Sequence, residues 1–205
     1  MKQSEELYGQ AINCEQASSV SDLCRAEYWN ARSLWQSDLD HFATLGISGL
    51  DLATPEMVFK AGIILEDGGD TFIFEHHTDT DDGRDGFILP VEGANGITDI
   101  VAFDAETGLL ATWLGRAFAI NEASIWEPNL DRDPLPVWRD PIGWLKANRQ
   151  GIVLLRPEQA YSRLDHLTGV IAEDVQHGEE LERLLWTPRR RVPVFLRDAN
   201  ERAAA

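Results

Sequence analysis

Apolar side chains recur along this chain with two different periods, and the change of period organises it. Cys24, Tyr28, Ala31, Trp35, Leu39, Phe42 and Leu45 follow one another at steps of three or four. That spacing keeps them on one face of an α-helix, so the pattern predicts a single long helix of about 24 residues. Ser19 to Asp22 offer capping oxygens at its start, and Gly46 supplies the stop. The preceding residues are polar and are expected to be poorly ordered or to form a short frayed helix. Thr54-Pro55-Glu56 has the build of another helix start, which predicts a short helix from Pro55 to Lys60.

Beyond Gly62 the pattern becomes short extended segments separated by turn residues. Gly62–Glu66 and Thr71–Glu75 flank Asp67-Gly68-Gly69-Asp70, a first hairpin. Gly86–Glu92 and Ile97–Asp104 flank Gly93-Ala94-Asn95-Gly96, a second. Asp104-Ala105-Glu106-Thr107-Gly108 then turns into a further strand, Leu109–Leu114. Five strands joined this way predict an antiparallel meander that the long helix covers on one face.

Pro128, Pro134, Pro136 and Pro141 interrupt the next stretch. Proline neither continues a helix nor donates to a central strand, so residues 126–141 are expected to form an extended crossover. After it the period changes again. Pro141–Asn148, Pro157–Leu167 and Val175–Trp186 are helical in pattern, while Gly151–Leu155, Gly169–Ala172 and Val192–Leu196 are short apolar strands. Strands alternating with helices predict a small parallel βαβαβ lobe. The expected class is α+β. Residues 1–125 form a helix-plus-antiparallel-sheet lobe, 126–141 the crossover and 142–205 the α/β lobe, with a shared core left open.

Charge alters this picture more than composition does. The 205 residues carry 35 acidic and 18 basic side chains, a net charge of −17. Residues 1–150 hold 26 of the acids and 10 of the bases, whereas residues 151–205 hold 9 and 8. A field of this sign repels nucleic acid phosphate and attracts basic partners. No apolar run reaches the roughly 18–20 residues that span a bilayer, and MKQSEELYGQ lacks the basic-then-apolar order of a signal peptide. No membrane association and a cytoplasmic location are therefore expected. The two cysteines, Cys14 and Cys24, are expected to be free thiols in such a compartment.

Two clusters hold residue types that carry chemistry. Glu75-His76-His77-Thr78-Asp79-Thr80-Asp81-Asp82 is a dense acidic loop. His76, His77, Asp79 and Asp81 are its candidate ligands for a divalent cation, although a solvated hairpin loop is the plainer reading. Ala172-Glu173-Asp174-Val175-Gln176-His177-Gly178 follows an expected parallel strand, whose carboxyl end is where functional groups gather in such sheets. Glu173, Asp174 and His177 could support magnesium-assisted phosphoryl transfer there. The competing reading makes Glu173 or Asp174 a helix cap. Trp126, Trp138 and Trp144 surround the proline-rich crossover and are candidates for either a core or a partner surface. Arg189-Arg190-Arg191 with Arg183 and Arg197 is the main basic cluster, expected to pair with acidic groups or form a solvated turn.

The segment Pro134-Leu135-Pro136-Val137-Trp138-Arg139-Asp140-Pro141-Ile142-Gly143-Trp144-Leu145, with Gly151-Ile152-Val153-Leu154-Leu155 and Ala172–Gly178, resembles a family of uncharacterised bacterial proteins. That resemblance implies no activity. A fainter one is to the toprim-type primases of mobile elements, where an antiparallel segment like Asp85–Asp104 precedes a parallel core with acidic strand ends. Glu173 and Asp174 stand where that family has Asp-x-Asp, and Leu155 leads into Arg156-Pro157 where it has Glu. The likeness implies a link to replication or mobile elements and a degenerate metal site. The resulting expectation is a non-enzymatic protein without a cofactor, acting on a protein partner with a basic surface and not on nucleic acid directly. The alternative is a magnesium-dependent enzyme using Glu173, Asp174 and His177.

Overall fold

The computed structural model describes residues 19–54, 56–80, 82–93, 96–104, 106–126 and 134–185. Where one long helix was expected there are two: α1 spans Val20–Asn30 and α2 spans Gln36–Thr44. Ser19 caps α1 through a reciprocal pair of bonds with Asp22. The break occurs because the chain turns extended at Ala31 and Arg32 joins a strand. Arg32 and Lys60 exchange two backbone hydrogen bonds of 2.9 Å each. Asp38 then receives the Trp35 amide at 2.9 Å and starts α2. Trp35, on the predicted inner stripe, is 69% exposed. A helical spacing thus bridged two helices by coincidence.

The helix predicted over Pro55–Lys60 is also absent among the described residues. A short helix α3, Gly49–Ala53, precedes it and is capped by Ser48 and Asp51. Thr54, just before a proline, is extended, and Phe59 and Lys60 open the first strand. The strands are β1 Phe59–Leu65, β2 Phe72–Phe74, β3 Arg84–Gly93, β4 Gly96–Asp104 and β5 Leu109–Thr112. All neighbours are antiparallel, in the order β2-β1-β3-β4-β5. This is the antiparallel sheet that the turn residues predict, except that β1 lies between β2 and β3. A backbone bond of 3.0 Å from the Thr112 amide to the Asp70 carbonyl draws the sheet's two edges together, so the sheet is curled.

Strands β3 and β4 are buried on both faces. Ile88, Ile100 and Ala102 face inward with Ile63, Phe72, Phe74 and Trp113, and α1 covers this set with Cys24 and Tyr28. Burial pushes the Cys24 thiol up to about 11, leaving it a packing group rather than a reactive one. Cys14 lies outside the described residues. Phe87, Leu89, Val101 and Phe103 face the other way, onto Phe42 of α2 and Leu52 of α3.

A second sheet adjoins that outer face. Its strands are β6 Ala119–Ile120, β7 Leu135–Trp138, β8 Ile152–Leu154 and β9 Val170–Ile171, in the order β6-β8-β7-β9. Helix α4, Pro141–Lys146, links β7 to β8, and α5, Ala160–Leu164, lies between β8 and β9. Helix α6, Val175–Leu185, follows β9. The βαβαβ run exists, but it begins one strand earlier than expected, at β7. Antiparallel β6 makes the sheet mixed rather than parallel. The predicted strand Val192–Leu196 lies outside the described residues.

β7 lies within the stretch expected to be a crossover and carries Pro136 inside a central strand. Only Val137 and Trp138 pair with β8, so Pro136 sits before the ladder that would require its missing amide. Gly151, at φ +83°, makes room for it, since any Cβ there would collide with the Pro136 carbonyl. Ile120, Trp144, Leu145 and Val153 belong to the same buried cluster as Phe42, Phe87 and Phe103. The two sheets therefore share a core.

One buried carboxylate organises the passage between them. Asp99 is fully buried and accepts backbone amides from Ile100 (2.9 Å), Leu114 (2.8 Å), Arg116 (2.6 Å) and Ala117 (3.1 Å). Three of these four donors, Leu114, Arg116 and Ala117, belong to the loop that leaves β5 for β6, so one side chain fixes its path.

Candidate functional site

Both clusters singled out in the sequence pair carboxylates with histidine, but the fold treats them differently. Adjacent parallel strands β7 and β9 end on the same side, which brings Arg139, just after β7, to Glu173 and Asp174, just after β9. Arg139 holds Asp174 with two bonds, 2.5 Å to Oδ2 and 3.0 Å to Oδ1. Its own amide donates to Glu173 at 2.7 Å. Asp174 also caps α6, accepting the His177 amide at 2.8 Å. The Arg139 hydrogen bonds, aided by that cap, hold the Asp174 carboxyl down at about 2. His177 is buried, and its Nδ1 accepts the Glu173 amide at 3.2 Å. Sequence reasoning placed these three residues together correctly at a strand end. It did not foresee the arginine, whose guanidinium and amide already hold the two carboxylates.

The second cluster is differently built. Helix α1 presents Glu27, one residue before the buried Tyr28, towards a 3-10 turn at Glu75–His77 that follows β2. His76 Nε2 lies 2.9 Å from one Glu27 oxygen, and His77 Nε2 lies 2.9 Å from the other. The three ligand-type atoms all lie within 4.8 Å of one another. Both rings are backed by aromatic neighbours. Phe74 lies 5.5 Å from His76 and 6.0 Å from His77, and Trp113 lies 6.2 Å from His77, centroid to centroid. The Glu27 side chain is only 11% exposed, while the rings are 55% and 40% exposed. The carboxylate is the sheltered floor, and the open side is towards solvent.

Asp79, expected to join the two histidines, is exposed and outside this triangle, and Asp81 lies outside the described residues. Glu27 was missed because it is 49 residues away from His76 along the chain. One local signal existed: a glutamate three positions after Cys24 and one before Tyr28 flanks the buried stripe of α1.

Glu27 and His76 also line a cleft of about 330 Å³ with Arg32, Lys60, Glu75 and Asp85. The cleft's cations are already engaged. Lys60 bonds Asp38 at 2.8 Å and lies 3.4 Å from Asp85, which Arg32 also holds. The Asp38 hydrogen bond raises the Lys60 ammonium above its ordinary range against the opposing effect of burial. For Asp38, burial works upward, but bonds from Lys60 and the Trp35 amide outweigh it and the net shift is downward.

The three tryptophans separate. Trp144 is buried and donates to the Gly151 carbonyl at 3.1 Å. Trp138 is half-buried, with its indole on the Gln150 carbonyl at 2.6 Å. Trp126 is 65% exposed and stacks on His166 at 4.6 Å and 5°. Among the described residues no helix is long and apolar enough to cross a membrane. Arg189, Arg190, Arg191 and Arg197 lie outside them, while Arg183 pairs with Glu179 on the exposed face of α6.

The fold defines the chain as an α+β protein of one curled antiparallel sheet and one mixed sheet. Compared with family models, curated proteins and solved structures, it matches none.

Proposed function

We propose that this protein is a non-enzymatic binding protein whose acidic turns engage a protein partner with a basic surface. The observation that carries this reading is a run of unneutralised carboxylates beside the curled sheet. Glu66, Asp67 and Asp70 on the β1–β2 turn, with Asp79 and Asp82 on the β2–β3 loop, are all exposed. None of the five forms an ion pair among the described residues. The nearby Arg32 and Lys60 are committed to Asp38 and Asp85, so they leave this charge standing. Such a surface steers a cationic partner and sets its orientation. Exposed Trp29 and Trp35, at 62% and 69%, are aromatic groups of the kind that anchor protein contacts.

The other reading, magnesium-assisted phosphoryl transfer through Glu173, Asp174 and His177, would require Arg139 to release both carboxylates. No observation favours that step.

Binding of a labelled oligolysine, followed by fluorescence anisotropy across a salt series, tests the proposal. Changing Glu66 to Gln and Asp67, Asp70, Asp79 and Asp82 to Asn should weaken binding roughly tenfold at low salt and flatten its salt dependence. Neutralising the same number of exposed carboxylates on the second sheet and its helices is the control. Equal losses in both variants would mean that only net charge matters, and the localised surface would be abandoned.

A further inference from the structure

We infer that Glu27, His76 and His77 form a zinc site that clips α1 to the end of β2. This goes beyond the acidic binding surface and does not depend on it. Two imidazole nitrogens and one carboxylate oxygen are the donor set that Zn²⁺ takes with three protein ligands, leaving a fourth position for water. The donors come from two elements held by separate contacts. α1 is fixed by Cys24 and Tyr28 in the core, and the turn is fixed by Phe74 beneath the rings. Both Nε2 atoms already converge on the same carboxylate. A metal bonded at about 2.0–2.2 Å needs its donors roughly 3.5 Å apart, and rotation of two exposed rings supplies the small adjustment from the present triangle. On binding, each Nε2 exchanges a hydrogen bond to Glu27 for a lone pair on the ion, and the ring proton resides on Nδ1. The open side leads to the cleft beside Glu75, so the fourth position faces solvent.

The neighbouring cluster shows why the inference belongs here and not at Asp174. A guanidinium already fills that site, whereas the residues meeting at Glu27 are ligand types.

The test uses the full chain stripped with a chelator and titrated with Zn²⁺ by calorimetry. Thermal melting and the visible spectrum of the Co²⁺ form run in parallel. The expected result is one ion per chain and a melting temperature raised by roughly 5–10 °C at a hundredfold excess over Kd. Glu27→Gln and His76→Ala should each weaken binding at least tenfold and alter the Co²⁺ spectrum, while Asp79→Asn should change neither. His77→Ala, at the other exposed ring, gives an independent third variant should either of the first two fold poorly. Failure to bind one equivalent would overturn the site, as would affinity that survives all three substitutions.

Discussion

The residues around Arg139 and those around Glu27 have nearly the same composition, two or three carboxyl or imidazole groups at an element's end, yet they do different physical work. At Arg139 both carboxylates are already held: Asp174 by a two-bond guanidinium and a helix amide, Glu173 by a backbone amide on one oxygen. At Glu27 the carboxylate meets two rings that can either donate to it or join it as ligands. What separates an architectural carboxylate from an available one is therefore the identity of its nearest partner. Residue type and position at a strand end do not decide it.

That contrast can be pushed hardest at Asp99, the most fully committed carboxylate described. Asp99→Ala removes the acceptor of four backbone amides in a dry setting, and the loop can rehydrate only part of them. The expected loss is about 3–5 kcal/mol, read as a fall in the urea midpoint with an unchanged slope. A loss below about 1 kcal/mol would mean that the β5–β6 passage is held by something else.

Next in size is Arg149, which is buried where the two sheets meet. It reaches Glu56 at 3.2 Å and the Asp51 carbonyl at 2.8 Å, and lies over Trp144 at 5.3 Å. Burial pulls its pKa below the ordinary guanidinium range, while Glu56 pushes back. Arg149→Met keeps the stem on Trp144 but strands Glu56 and the end of α3, at a cost of about 2–3 kcal/mol by denaturant unfolding. Arg139→Met should cost less, because water reaches this half-buried guanidinium and can replace it, whereas Arg149 is closed off. If the two losses were equal, burial would not be what distinguishes these arginines.

The local parts of this comparison were legible in the sequence. Asp67-Gly68-Gly69-Asp70 and Gly93-Ala94-Asn95-Gly96 announced the hairpins, because turn chemistry acts over four residues. The α6 start was visible for the same reason: Asp174 stands just before the helix and accepts the amide three residues on. The failures were tertiary. Ala31 to Trp35 kept helical spacing while Arg32 was captured by β1, 28 residues later in sequence, and Pro136 disguised a strand whose pairing with β8 begins beyond it. Glu27 and Arg139 were missed because each meets its partners only after distant elements have packed.

A smaller effect separates the clusters by pH. The folded Asp174 carboxyl sits at about 2, below the ordinary value of about 3.9. A depressed folded pKa gives stability that is complete above the unfolded value and disappears as pH falls through the folded one. The Arg139–Asp174 bond should therefore weaken between about pH 4 and pH 2. Asp174→Asn, measured by urea unfolding at several pH values, should be less stable at neutral pH and lose less on acidification across that window. Parallel curves for the two proteins would show that the guanidinium does not hold Asp174 in solution.

The smallest expected effect is the most discriminating. If Glu27 is an available carboxylate, Glu27→Gln in the metal-stripped protein should cost no more than about 1 kcal/mol. Its partners are exposed rings that water can satisfy, and the amide still offers one acceptor. The wild-type stability gained on adding Zn²⁺ should then be absent from the variant. This pattern, near-neutral without metal and large with it, cannot arise at an architectural carboxylate, where the loss appears whether or not an ion is present. A loss of 3 kcal/mol or more in the stripped protein would place Glu27 with Asp99 and erase the distinction between the two clusters.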